Sequence, residues 1–225
     1  MDILFDTANL DDIERLTPIY PVTGVTTNPS ILKKEGKVDF YAHFRRIREI
    51  IGTERTLHVQ VLAKDTLGMI DDAHRLLDKI DDQIYAKIPT TENGIAAMRH
   101  LKAEGVNVTA TAIYSKTQGF LAIATGVDYL APYYNRMQAL DIDTKGTLQA
   151  LSGFIARFCA PSKIMAASFK NIVQVSHALE AGADAVTMSP KLLRQALSAP
   201  DITHAVDDFI DDWHSVYGTR TLPEA

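Results

Sequence analysis

Apolar and polar positions along the chain follow two periods that take turns. Short runs with a two-residue period lie at 3–6, 24–28, 56–62, 83–89, 107–113, 128–133, 163–169 and 184–189. They are rich in apolar or β-branched side chains and bounded by turn residues, the signature of strands. Between them the spacing shifts to that of helices over 65–80, 93–104, 115–125, 146–159 and 171–181. In the first of these, Leu67, Ile70, Leu76, Leu77 and Ile80 fall toward one side. Gly105 and Gly182 stand where a helix stops before the next strand begins. Eight strands alternating with helices in 225 residues, about 28 per unit, predict an α/β protein, a (β/α)8 TIM barrel. An open doubly wound sheet is the competing arrangement. No strand is followed by GxGxxG or GxxxxGK[ST], so nucleotide-binding versions of that sheet lose support. Prolines and glycines occur singly between periodic segments, which predicts one domain over 1–225.

Strand residues alternate between two faces, so parity separates a barrel's interior from its helix-facing wall. In the third strand Leu57, Val59 and Val61 form the apolar row, and His58 and Gln60 share the other. The fourth sets Ile84, Ala86 and Ile88 against Tyr85 and Lys87. The fifth sets Val108, Ala110 and Ala112 against Asn107, Thr109 and Thr111. The first sets Ile3 and Phe5 against Asp6, and the second sets Val25 against Thr26 and Asn28. With the apolar rows against helices, Asp6, Asn28, Gln60, Lys87 and Thr111 face the axis near the C-terminal ends of five successive strands. Tyr133 and Ser168 end the sixth and seventh strands in the same way. That end of a barrel is where active sites are assembled.

Lys87, within Ile84-Tyr85-Ala86-Lys87-Ile88-Pro89, is the most informative member of the ring. An ammonium in an enclosed space is disfavoured by desolvation, which lowers its pKa and frees the amine to attack a carbonyl. The product is a Schiff base, whose protonated nitrogen draws electrons from a neighbouring carbon–carbon bond. The competing role is a static interior ion pair with Asp6.

Composition narrows the partners. The net charge is −5, and no Lys/Arg block forms the basic stripe that nucleic-acid binding requires. No apolar stretch approaches a membrane span, and the start, Met1-Asp2-Ile3-Leu4-Phe5-Asp6, lacks the basic region of a signal peptide. The expectation is a cytoplasmic protein. A lone cysteine rules out an internal disulfide or a CxxC zinc site, and the seven histidines show no HxH or HExxH spacing. No metal and no cofactor are expected. Cys159 reads as a buried small residue and His58 as a hydrogen-bonded core histidine. The paired aspartates, such as Asp71-Asp72 and Asp81-Asp82, read as surface or capping residues, because adjacent side chains point apart.

Seven segments together resemble one family. They are Asp6-Thr7-Ala8-Asn9, Gly24-Val25-Thr26-Thr27-Asn28-Pro29-Ser30, Ala86-Lys87-Ile88-Pro89, Thr111-Ala112-Ile113-Tyr114, Ala131-Pro132-Tyr133, Asn135-Arg136 and Ala166-Ala167-Ser168-Phe169-Lys170. The chain, from residue 1 to about 217, resembles the small transaldolase/fructose-6-phosphate aldolase family. The resemblance implies a metal-free class I aldolase barrel with Lys87 as the Schiff-base lysine. Transaldolases move a dihydroxyacetone unit between sugar phosphates, as in the pentose phosphate pathway, and the aldolases cleave fructose 6-phosphate to dihydroxyacetone and glyceraldehyde 3-phosphate. The family's transaldolases usually carry glutamate on the third strand and phenylalanine after Ala/Ser-Pro on the sixth. Gln60 and Tyr133 stand there instead and resemble the aldolase branch. The transaldolase remains the alternative, and a non-catalytic sugar-phosphate-binding barrel is the alternative of another class.

The resemblance also implies roles for the other residues. Tyr133 exchanges protons directly or through a water held by Gln60 and Thr111. Asp6 and Asn28 orient the donor hydroxyls and the lysine, Asp6 also taking part in proton transfer and Thr26 assisting. Arg136, Ser168 and Lys170 bind phosphate. Finally, Val206, Phe209, Ile210, Trp213, Val216 and Tyr217 recur at helical spacing and predict an extra C-terminal helix over about 203–217. Its stripe covers either its own barrel or, as the resemblance implies, a neighbouring subunit of a homo-oligomer, a ring-built decamer.

Overall fold

The computed structural model describes residues 1–223. Its centre is a closed parallel barrel in chain order. The strands are β1 (Asp2–Asp6), β2 (Gly24–Thr26), β3 (Thr56–Gln60), β4 (Tyr85–Pro89), β5 (Val108–Ile113), β6 (Tyr129–Pro132), β7 (Lys163–Ala166) and β8 (Ala185–Met188). β8 returns to pair with β1, with Leu4 opposite Thr187 and Phe5 opposite Met188. This closure decides against the open sheet. The outer layer contains α1 (Leu10–Leu16), α2 (Pro29–Leu32), α3 (Phe40–Ile51), α4 (Thr66–Lys79), α5 (Glu92–Ala103), α6 (Lys116–Ala124), α7 (Tyr134–Ala139), α8 (Thr144–Phe158), α9 (Ile172–Glu180) and α10 (Pro190–Gln195). A last helix, α11 (Pro200–Tyr217), follows the barrel.

Helices starting at the C-terminal mouth are held by side-chain caps. Asn9 accepts from Asp12 N, Asn28 from Ile31 N, Ser115 from Gln118 N and Asn171 from Gln174 N. Each cap satisfies a backbone donor that the first helical turn leaves free. α1, α2, α7 and α10 have seven residues or fewer. They, and the longer α3, add to the helices expected from periodicity. At the other end, helices stop as expected at Gly105 and Gly182, with φ of 81° and 97°, which a side chain would resist.

The core has two layers, and strand parity assigns most residues correctly. Phe5, Val25, Leu57, Val59, Ala86, Ile88, Val108, Ala110, Leu130, Ile164 and Val186 pack between strands and helices. Leu4, Tyr129, Ala131, Met165, Ala167 and Ala185 form a smaller cluster inside the barrel. Three local corrections emerge. Ala112 does not continue the outer row of β5, because it takes φ 57° where the β5–β6 register shifts, and Ile113 becomes the buried outer residue. In α4 the buried face is Met69, Ile70, Ala73 and Leu76, leaving Leu67 in solvent. Cys159 is exposed rather than buried, since it terminates α8 in the left-handed conformation with φ 49°.

α11 has no buried residue, and Val206, Phe209 and Val216 remain exposed. Its stripe therefore does not cover its own barrel. Among the described residues no helix is long and apolar enough to cross a membrane.

Candidate active site

The barrel interior is stacked from an aromatic floor upward. His58 and Tyr85 stack with centroids 4.6 Å apart, and Tyr129 meets them edge-on at 5.2 and 5.3 Å. His58 is fully buried, with Nδ1 2.8 Å from Thr109 Oγ1 and Nε2 2.9 Å from Thr56 Oγ1. Burial, reinforced by the positive charges of Lys87 and Arg48, holds its pKa well below the ordinary imidazole value. This is the core histidine the sequence leads one to expect, kept neutral. Burial also pushes the Tyr129 phenol up to about 12.

Lys87 lies on the next inward position of β4 above Tyr85, opposite Gln60 in the β3 register. Its side chain is buried, and Nζ donates to Thr27 O at 2.7 Å. Desolvation lowers its pKa, partly opposed by the Asp6 carboxylate. Lys87 therefore hydrogen-bonds a backbone carbonyl rather than forming a locked ion pair with Asp6. Asp6 instead accepts from Thr26 Oγ1 at 2.7 Å, and that hydroxyl lies 2.6 Å from Thr187 Oγ1 on β8. Burial raises the Asp6 pKa, against the lowering effects of Lys87 and the Thr26 bond.

A second cluster stands across the mouth. Tyr133 Oη lies 3.0 Å from Thr111 Oγ1. Burial raises its pKa, while the Thr111 bond and Arg136 pull the other way. The Arg136 guanidinium lies over the Tyr133 ring, 4.7 Å from its centroid, and donates to Tyr114 Oη at 3.1 Å. Tyr114 meets Tyr133 edge-on at 5.5 Å.

Tyr133 packs against the inner cluster as parity predicts, one residue beyond β6, whereas Ser168 does not end β7 as a regular inward residue. Tyr133 makes an isolated bridge to Ala167 just beyond β6, and Ala167, not Ser168, joins the inner cluster. Ser168 follows with φ 66°, a left-handed backbone unusual for a non-glycine residue. Its carbonyl accepts from Asn135 N at 3.0 Å. Gln174 joins the two segments further: Nε2 donates to Asn135 Oδ1, and Oε1 accepts from Lys170 N. Arg136, Ser168 and Lys170 thus sit on segments that β6, β7 and their following helices bring together.

Gln60, beside Lys87 in the sheet, is half-buried and borders a cavity of about 260 Å³ together with Thr27, Asn28, Pro29 and Leu62. Asn28 Oδ1 is committed to capping α2 at 3.0 Å, which leaves its amide nitrogen for other partners. Sequence reasoning missed Thr27, Tyr114 and Thr187 as site residues. Thr27 contributes through a backbone carbonyl, which leaves no side-chain signature. Tyr114 follows the register shift at Ala112, beyond regular alternation, and Thr187 is legible only as an inward polar residue on β8.

The architecture defines the class first: a (β/α)8 barrel whose C-terminal mouth carries a desolvated lysine, a carboxylate and a tyrosine–threonine pair. The family model described as "Transaldolase/Fructose-6-phosphate aldolase" matches residues 3–219. The chain is also 46% identical over 222 residues to a protein described as "Probable fructose-6-phosphate aldolase" from Streptococcus pneumoniae (strain ATCC 700669 / Spain 23F-1). That alignment covers 99% of this chain and 100% of the relative. The chain belongs to the transaldolase/fructose-6-phosphate aldolase family and is an enzyme of that kind.

Proposed function

We propose that the protein is a class I aldolase that cleaves or forms fructose 6-phosphate through a Schiff base on Lys87. The observation that carries this reading is the buried Lys87 amine with its lowered pKa, hydrogen-bonded to Thr27 O rather than neutralised by a salt bridge. The amine attacks the ketose C2 carbonyl, and loss of water from the carbinolamine gives the iminium. As the C4 hydroxyl gives up its proton, the C3–C4 bond breaks and its electrons pass to the iminium nitrogen, forming an enamine. Glyceraldehyde 3-phosphate leaves. Protonation of the enamine at C3 and addition of water to the regenerated iminium then release dihydroxyacetone and restore Lys87.

Tyr133 serves the proton transfers. Its raised pKa keeps the phenol protonated, so it donates to C3 and is reloaded from a water held by Gln60 and Thr111, the water that receives the C4 proton. Gln60 accepts and donates hydrogen bonds but cannot act as a base, which places the proton exchange on the tyrosine side. Asp6 and Asn28 orient donor hydroxyls, with Thr26 holding Asp6. Arg136, Ser168 and Lys170 take the phosphate, a guanidinium fork beside a hydroxyl and an ammonium. Tyr133→Phe is expected to cut aldol cleavage by about 100-fold or more. Unchanged cleavage would refute the tyrosine route.

Transfer of the dihydroxyacetone unit to a sugar-phosphate acceptor is the second reading, favoured by the family description itself. The two separate when glyceraldehyde 3-phosphate release from fructose 6-phosphate is measured with and without erythrose 4-phosphate. The aldolase releases it in both cases, whereas a transaldolase depends on the acceptor. The proposal extends to one domain working in the cytoplasm as a homo-oligomer, a decamer by family resemblance. The exposed stripe on α11 then covers a neighbouring subunit, and light scattering on the purified protein measures the subunit number.

A further inference from the structure

Thr187 is buried on β8, and nothing in the proposed chemistry yet uses it. Its hydroxyl lies 2.6 Å from Thr26 Oγ1, and Thr26 Oγ1 lies 2.7 Å from Asp6 Oδ1. The three residues stand on β8, β2 and β1, so the chain of hydroxyls crosses the seam where the barrel closes. A hydroxyl carries one proton and can donate only once. If Thr26 donates to Asp6, Thr187 must donate to Thr26, and every proton is satisfied. If Thr26 instead turned its proton to Thr187, the buried Thr187 proton would be left without a hydrogen-bond acceptor among the described residues, at a desolvation cost. The favoured direction therefore ends on Asp6 as an acceptor, the role of an ionised carboxylate.

We infer that Thr187 is a positioning residue that fixes the direction of the Thr187–Thr26–Asp6 relay and thereby sustains the ionised form of Asp6 beside the lysine. Burial of Asp6 pushes the carboxyl toward protonation, and the relay opposes that push. The role assigned to Asp6 in catalysis rests on the aldolase reading. The relay itself is a property of the carboxyl and is measurable without turnover.

The test compares Thr187→Val, which keeps the shape and deletes the donor, with Thr187→Ser, which keeps the donor. The Asp6 carboxyl is titrated by carbon NMR in protein labelled at aspartate, its signal assigned by its absence in Asp6→Asn. Thr26 polarised by a donor binds the carboxylate more strongly, so Thr187→Val should raise the Asp6 pKa by about 0.3–0.5. Thr187→Ser should leave it within error of the parent. The acid limb of kcat/KM for fructose 6-phosphate cleavage should move to higher pH by the same amount in the valine variant alone. An Asp6 titration that is unmoved in Thr187→Val, or moved equally in both variants, overturns the relay. Failure of the aldolase reading shows separately, as an unmodified enzyme that cleaves no fructose 6-phosphate while the NMR shift persists.

Discussion

Burying His58 in neutral form makes a specific demand on stability. In the unfolded chain the imidazole titrates near its ordinary value of 6.5, whereas in the fold its pKa is held well below that. The unfolded state therefore binds more protons than the native state as the pH falls through 6.5. Stability is fully present above that pH and is lost below it, by about 1.4 kcal/mol per pH unit while the native imidazole stays neutral. Between pH 7.5 and pH 5, one such group costs about 2 kcal/mol. His58→Phe retains a flat ring against Tyr85 and Tyr129 and removes the titration. Its stability at neutral pH will differ from the parent through the lost bonds to Thr56 and Thr109, so the informative quantity is the change with pH. Urea unfolding at both pH values should show the parent losing about 2 kcal/mol more than the variant, the carboxylates contributing equally to each. Equal acid losses in the two proteins would refute the neutral-floor argument.

Other outcomes follow from individual contacts. Arg136→Ala should reduce kcat/KM for glyceraldehyde 3-phosphate as acceptor by about 10–100-fold more than for unphosphorylated glyceraldehyde, the worth of a charge-assisted phosphate contact, any loss common to both coming through Tyr133. Steady-state aldol addition with both acceptors checks it. Gly94→Ala should destabilise the fold by about 1–3 kcal/mol and lower Tm in a thermal scan. An added Cβ would meet Pro89 O at 1.8 Å, on the strand that carries Lys87, so α5 or β4 must shift. An unchanged Tm would show that this helix is not pressed against the strand end.

The barrel was legible because β2 to β5 turn apolar residues toward helices and polar or aromatic ones toward the axis, while β1, β6, β7 and β8 also turn Leu4, Ala131, Met165 and Ala185 inward. That rule places Lys87, Gln60, Thr26 and Thr111 on the inward side of their strands. It failed where the chain leaves regular strand geometry. The Ala112 bulge and the left-handed Ser168 come from tertiary pairing and leave no mark in local alternation. Short helices such as α2 depend on a single cap, Asn28, rather than on periodicity. α3 is different, since Phe44, Ile47 and Ile51 carry a readable helical spacing. Within the site, Tyr114 is defined by its tertiary contacts with Arg136 and Tyr133, which local spacing does not encode.

Everything in the proposed chemistry turns on Lys87, a buried amine whose pKa desolvation lowers, becoming the covalent partner in turnover. Its most direct test is borohydride reduction of the protein in the presence of dihydroxyacetone, followed by mass spectrometry of the peptides. One reduced adduct is expected, on Lys87, favoured as the pH rises through the lowered pKa of that amine and absent from Lys87→Met. No adduct, or an adduct carried by another lysine, would contradict it.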